Sequence, residues 1–439
     1  MTTGRITALC TATLLSTSLI LASAGPALAA SGPLVLVSVS SSGLTGSGYA
    51  TSISADGRYV VFGTNHDYLV PGDNNSSYDV FVRDRWTATT SLVSLSNTGQ
   101  QTPPPGDENN GHSDDGTISA DGRYVAFSST ARNLTATNPF GGSAIYVRDR
   151  RAGTTRMVSV SDDGMPMGMD SREPMISGNG RYVVFSHRHG DVADVYRHDL
   201  RTATTRLVPA ATTWSWIDTI GPRPSISHDG RYVAFTSDSA LTPGDTNAVE
   251  DVFVHDFATG ATRMVSRPVT GGRTTADSYT GAISADGRYV VFCSDDTSLI
   301  RGDVNGQTDV FVHDVRTGVT SLISKSSAGV QGNGHSYAWM TISGDGRHVG
   351  FGSTADNLVA GDTNGYLDVF VHDRWTSTTT RVSQPNGGDE ADAESLGPVI
   401  SADGRHIAFT SMADLIAGGA PTGFDDRVYA RRMPVLATK

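Results

Sequence analysis

Seven times along the chain a polar turn is followed by a block of consecutive apolar positions. The first instance is Asp56-Gly57-Arg58 leading into Tyr59-Val60-Val61-Phe62, and the pattern returns around Asp121, Asn179, Asp229, Asp286, Asp345 and Asp403. The turn glycines fall at 57, 122, 180, 230, 287, 346 and 404, so the intervals are 65, 58, 50, 57, 59 and 58 residues. A recurrence of this length marks a repeat architecture, in which units are counted before domains. Apolar residues on successive positions suit a strand buried on both faces, as when the blades of a propeller stack on one another.

Three further strands accompany this one, strand B, in each unit. Strand A is the Ile-Ser stretch before the turn, such as Thr51 to Ser54. Strand C is the run Asp79-Val80-Phe81-Val82, repeated from Asp251, Asp309 and Asp368. Strand D is the type Thr90 to Ser94, Thr262 to Ser266 and Thr320 to Ser324. The ends of the chain complement each other. Leu36 to Ser40 has the strand D pattern but no blade of its own, whereas the last unit has A (Val399 to Ser401), B (His406 to Thr410) and C (Val428 to Arg431) but no D. The pattern therefore predicts an all-β fold: a seven-bladed β-propeller of four-stranded blades, closed by the N-terminal strand completing the last blade. Residues 35–39 should pair with 428–431, leaving no open sheet edge. The Asp-Gly pairs predict two-residue type I′ hairpins with positive φ at both positions. Asn179 in place of Asp assigns the carboxylate to turn formation rather than catalysis.

A unit reading Ser-x-Asp-Gly-Arg-x-Val-x-Phe, then Asp-Val-Phe-Val-x-Asp, resembles the TolB-type, WD-repeat-like β-propeller family. The resemblance runs from Ser52 to about Arg432. It implies fold, export and a protein- or ligand-binding habit. The chain departs from that family by placing Ala55, Gly178 and His228 where the family often has Pro. It also has seven units where periplasmic TolB has six blades, and lacks a match to TolB's separate N-terminal domain.

Composition fits: 38% of the 439 residues are hydrophobic, 18% are charged, and 49 are Gly. Residues 1–29 carry a single charge, Arg5, then an apolar run from Ile6 to about Ala24 and an Ala27-Leu28-Ala29 cleavage site. They are expected to be a secretory signal peptide, leaving 30–439 as one propeller domain, secreted and extracellular, with no membrane anchor after cleavage. Cleavage removes one Arg and no acid, so the net charge of −12 becomes −13. That argues against nucleic acid and for cationic, metal or neutral partners. Cys293 is the one cysteine beyond the signal, so no internal disulfide is expected, and the chain is expected to be monomeric.

In such a ring the A–B and C–D turns share one face, and the B–C and D–A connections share the other. The first face holds short repeated turns with Arg58, Arg123, Arg181, Arg231, Arg288, Arg347 and Arg405; the second holds long, acidic loops. An acidic loop face and a more basic back are expected, with binding on the loops. Four B–C loops read Gly-Asp-x-Asn-x-x-x-Asp: Asp73/Asn75/Asp79, Asp245/Asn247/Asp251, Asp303/Asn305/Asp309 and Asp362/Asn364/Asp368. Their oxygens suit calcium if carbonyls and water complete the shell. Equally, Gly-Asp-x-Asn is turn chemistry, with the last Asp capping amides. Trp214, Trp216, Tyr279, Tyr337 and Trp339 are candidate ligand-binding rings, with loop packing as the alternative. His198, His255, His313 and His372 exchange with Arg across the repeats and are assigned to structure. His187 and His189 occur in blade three alone. Ser113-Asp114 and His335-Ser336 lack the setting of a nucleophile and its base. The function expected is a secreted scaffold binding a protein, peptide or glycan, with no catalytic residue assigned. The alternative is a propeller lyase or hydrolase using loop-face His and acidic groups.

Overall fold

The computed structural model describes residues 32–103, 111–136, 142–168, 170–213, 223–243, 245–272, 274–416 and 426–433. These form seven four-stranded antiparallel sheets. Blade one consists of Tyr49–Ile53, Tyr59–Thr64, Asp79–Asp84 and Thr89–Leu92, and each following blade repeats that order outward from the centre. The first strand of each sheet touches the first strand of the next, and Tyr49–Ile53 touches Ser395–Ile400, so the chain forms a closed ring.

Closure happens as the unpaired ends require. Val35 and Leu36 pair with Ala430 and Tyr429, and the Val37 amide donates to the Val428 carbonyl at 2.7 Å. The segment is anchored by burial as well: Val37 is fully buried, and Leu34 nearly so. Strand B is apolar throughout because both of its faces meet neighbours. Val60, Val61 and Phe62 are each 0% exposed. In every blade the strand B Phe packs beside a strand C aromatic, with ring centroids 5.6–6.1 Å apart, from Phe62/Phe81 to Phe409/Tyr429. Cys293 belongs to this core, and burial pushes its thiol up to about 12.

The A–B turns are not type I′. Only the glycine has positive φ (Gly57 at 71°), while Asp56 does not. The Ser54 amide donates to the Tyr59 carbonyl at 2.9 Å, which leaves a loop of four residues, 55–58. The Asp56 side chain organises it: its Oδ1 accepts from the Ser54 hydroxyl at 2.7 Å and the Arg58 amide at 3.0 Å. Asn179 Oδ1 accepts the same two bonds from Ser177 and Arg181. The turn requires one side-chain oxygen, which either residue supplies; that is why the exchange is neutral.

The glycines also make room for the neighbouring blade. A Cβ on Gly122 would run into the Tyr59 ring, and one on Gly230 into Tyr182. The same contact closes the circle between Gly57 and His406. Beside it runs a ring of backbone hydrogen bonds from turn to turn: Ala55 to Ala120, Ala120 to Gly178, Asn179 to His228, His228 to Ala285, Ala285 to Gly344, Gly344 to Ala402, and Asp403 back to Ala55. Five of these N–H donors stand where the resembling family often has Pro, which has no N–H to give. The departure from that family thus has a structural reason.

Candidate functional site

Much of the charge on the turn face is paired within the blade. Six of its arginines (Arg58, Arg123, Arg181, Arg231, Arg288 and Arg347) each meet an Asp at the end of strand C of the same blade, at 2.6–2.7 Å. In blade seven Arg432 stands opposite His406, where the other blades have that Asp. The expected basic back is therefore mostly a ring of ion pairs, because each Arg and its Asp lie on adjoining strand ends. Beside them, His198, His255, His313 and His372 are buried, each with Nδ1 at 2.9–3.0 Å from a strand D Thr hydroxyl. Arg83 and Arg148 reach the equivalent hydroxyls at 3.0 Å. These histidines are structural.

At the loop-face end of strand A the repeats place a ring of side chains about the central opening. The strand begins with Ser113, Ser171, Ser278, Ser336 and Ser395, and each is hydrogen-bonded to the end of strand B, at 2.8–3.0 Å. Four of those partners are serines. The fifth is His187, buried against Ser171, so His187 occupies a scaffold position. His189 lies 3.4 Å from Asp194.

The residues after each serine differ from blade to blade. The next position carries Asp114, Arg172, Tyr279, Tyr337 and Leu396, and Tyr49 in blade one. A bulge follows in each of these strands. Within it Asp115 and Glu173, two residues after their serines, take positive φ (54° each), where blade seven has Gly397 at 63°; in blade six, whose bulge is one residue longer, Trp339 at the third place does so (46°). Non-glycine residues in left-handed backbone are strained, and such strain concentrates at functional sites.

Chemically the opening combines carboxylates with aromatic rings. Tyr49 donates to Asp114 Oδ2 at 2.6 Å, and His112 Nε2 lies 3.6 Å from the same oxygen. Burial pushes Asp115 up to about 7, helped by the charges of Asp114 and Glu173. Burial likewise pushes Glu173 up, opposed by Arg223, whose amide donates to Glu173 Oε2 at 3.2 Å. Trp339 is 57% exposed and Tyr337 42%, whereas Tyr279 is half-buried against the core. Trp214 and Trp216 lie outside the described residues. Glu173 carries no repeat signature and is found only by aligning the strand A registers on their serines.

The four Gly-Asp-x-Asn loops share one framework. The last Asp of each (Asp79, Asp251, Asp309 and Asp368) is fully buried and accepts from the Ser fifteen residues on: Ser94, Ser266, Ser324 and Ser383. The asparagines hold this Asp from within the loop. Asn75, Asn247, Asn305 and Asn364 turn the side-chain NH2 toward that Asp, at 2.8, 3.0, 2.8 and 3.2 Å. The oxygens of Asn75, Asn305 and Asn364 instead accept the backbone amides of Ser77, Gln307 and Tyr366, each at 3.0 Å, which is the side-chain turn of an Asx loop. Asn247 Oδ1 is buried with no partner. In this arrangement Asn75, Asn305 and Asn364 do turn chemistry, with the NH2 on the last Asp and the oxygen on a backbone amide.

The first Asp of each loop meets different surroundings. Asp303 and Asp362 have partners from strand D or the loop after it, Gln331 and Arg381. Burial pushes Asp245 upward, helped by the charge of Asp251. It also pushes Asp79 up to about 7 and Asp73 up to about 6. Among the described residues no three His, Cys, Asp or Glu side chains converge as a metal cluster.

No protein-family model and no curated protein sequence matches the chain. Among solved structures it is similar to an oligogalacturonate lyase in complex with manganese, at 14% identity and TM-score 0.51, over 93% of this chain and 98% of that one. It is also similar to TolB from Acinetobacter baumannii (14%, TM-score 0.39, 86% and 81%) and to a putative TolB from Agrobacterium tumefaciens (17%, TM-score 0.41, 79% and 95%). At these identities the likeness is one of fold.

Proposed function

We propose that the protein is a secreted binding propeller whose loop face takes a protein or peptide segment, with a basic side chain seated at the central opening. The observation that carries this reading is the bulge of strand A. There Asp115 and Glu173 at one register, and Trp339 one residue further on in a longer bulge, are held in left-handed backbone, beside Asp114 and Tyr337. Carboxylates would attract a lysine or arginine, and an exposed indole and phenol would cover its aliphatic stem or stack on a guanidinium. The apolar segment 6–24 and the Ala27-Leu28-Ala29 site support export.

The alternative, a propeller enzyme, draws on the lyase-like fold alone. An oligogalacturonate is a polyanion and would meet Asp114, Asp115 and Glu173 at the opening. Ser113, Ser336 and His187 are engaged in the scaffold. The test is retention on arrays of lysine- and arginine-bearing peptides, neutral glycans and oligogalacturonate, using wild type, Trp339→Ala and Asp115→Asn. Basic peptides should be retained, less so in high salt and by both variants. Retention of glycans alone, or of basic peptides equally by all three proteins, would overturn the reading.

A further inference from the structure

The four B–C loops have the same framework but different plugs. In blade five the Gln331 amide donates to Asp303 Oδ1 and to Asp309 Oδ2, both at 2.7 Å, so one neutral group bridges the two carboxylates. In blade six a cation does so. Arg381 Nη1 lies 3.0 Å from Asp362 Oδ1, 3.2 Å from Asp368 Oδ2 and 3.0 Å from Glu390 Oε1, and it is almost wholly buried.

Blade one has the same two carboxylates and neither plug. Leu92 pairs with Phe81 where Arg381 pairs with Phe370, so no guanidinium reaches the site from strand D. Gln101 stands where Gln331 does, but its amide is turned to Asn74 Oδ1. Asp73 is 9% exposed, and its Oδ1 is buried without a hydrogen-bond partner, although the Asn75 backbone amide approaches the carboxylate. Asp79 Oδ2 accepts, among the described residues, only from Asn75 and keeps a lone pair. Two buried carboxylates with an orphaned oxygen call for a positive charge. Blade four does not enter the comparison, because residue 273, the counterpart of Gln331, lies outside the described residues.

We infer that a divalent cation of the calcium class binds between Asp73 and Asp79, at the place that blades five and six fill from within the chain. Asp73 and Asp79 supply the carboxylates; carbonyl oxygens and water complete the shell that such an ion requires. With two carboxylates, the affinity falls in the weak extracellular range, on the order of 10⁻⁴–10⁻³ M. This site is independent of the peptide reading above.

The experiment is calorimetric titration of the full chain with calcium chloride, with magnesium chloride as the specificity arm, alongside thermal unfolding in calcium and in chelator. Calcium should bind with a measurable stoichiometry and raise the melting temperature. Asp73→Asn should lower the ion count by one, whereas Asp303→Asn should leave it unchanged. Leu92→Arg, which copies the blade-six plug, should fold and also lose one ion. Arg381→Leu should gain one ion and depend on calcium for its stability. Wild type that ignores calcium would overturn the inference, and would mean that a shared proton relieves the pair. An ion count unchanged by both Asp73→Asn and Leu92→Arg would overturn it too.

Discussion

The two faces of the ring are built from the same repeats and put to opposite uses. On the turn face six of the seven blades pair an Arg with their own strand C Asp, and every blade touches the next through a glycine under an aromatic ring and a backbone hydrogen bond. On the loop face the same strands end in residues that differ from blade to blade, including three strained ones. Where seven repeats agree, the shared feature is scaffold. A binding site is singular, so it is sought where the repeats disagree.

The contrast breaks most severely if the ring is opened. Deleting residues 32–40 removes the strand that pairs with 428–431 and strips the Val37 side chain from the core. Blade seven then has three strands and an exposed edge. Loss of the cooperative unfolding transition, followed by circular dichroism and size exclusion, is the expected outcome. A truncated chain with a near-native transition would show that blade stacking, not closure, holds the ring.

Acid should separate the faces next. Burial lowers His198, His313 and His372 to about 4, so the unfolded chain binds more protons than the folded one between about pH 6.5 and 4. Their neutral burial costs stability as pH falls through that window, by an upper bound of roughly 3 kcal/mol each. The buried loop-face carboxylates Asp73 and Asp79, raised to about 6 and 7, work in the other direction, since the folded state takes up their protons first. Denaturant unfolding at pH 7 and 4.5 should show a net loss that shrinks in the triple His→Gln variant. An equal loss in that variant would move the acid sensitivity off the turn face. The Asp314 carboxyl, held by Arg288 at about 2, stays ionised throughout and contributes only below about pH 4.

Much of the architecture was legible because repetition amplifies weak signals: six Asp-Gly turns, one Asn-Gly turn and one misplaced strand settle blade number and closure. The turn type was misread, since Asp-Gly also serves a four-residue loop in which only glycine is left-handed. The pairing of charges on the back was not legible because strand C's terminal Asp lies 18–26 residues from its Arg, too far for any local pattern to join them. The loop asparagines were open to two readings because spacing gives the residue but not which end of its amide faces the neighbouring Asp. Glu173 stayed hidden for the opposite reason. A singular residue has no repeat to announce it, and its place appears only once the bulge fixes the register.

Glycines of similar φ sharpen the comparison further. Gly287 (74°) lies on the turn face, where a Cβ would overlap the Tyr232 ring; Gly302 (89°), in a loop of the other face, has nothing within 4 Å. Gly302→Ala bears backbone strain alone, about 1 kcal/mol. Gly287→Ala adds overpacking against the next blade and should lose about 3 kcal/mol or more. Equal losses in denaturant unfolding would show that the aromatic seats are loose.

The smallest effect expected has the unusual sign. Asp115 sits at φ 54° where blade seven has Gly397 at 63°, so the fold already tolerates glycine at this register. Asp115→Gly relieves left-handed strain and removes a half-buried carboxyl from the neighbourhood of Asp114 and Glu173. Against that, glycine loosens the unfolded chain, so the net gain should be about 1 kcal/mol. The gain should also depend on pH. A carboxyl raised to about 7 penalises folding progressively as pH rises from about 4, its unfolded value, to about 7, and by a constant amount above that. Asp115→Gly should therefore stabilise more at pH 8 than at pH 5, while weakening retention of basic peptides at both. Greater stability with less binding would mark Asp115 as a residue kept for its ligand. If the variant is instead less stable at pH 8, the strained bulge is structural, and the opening loses its claim to be the site.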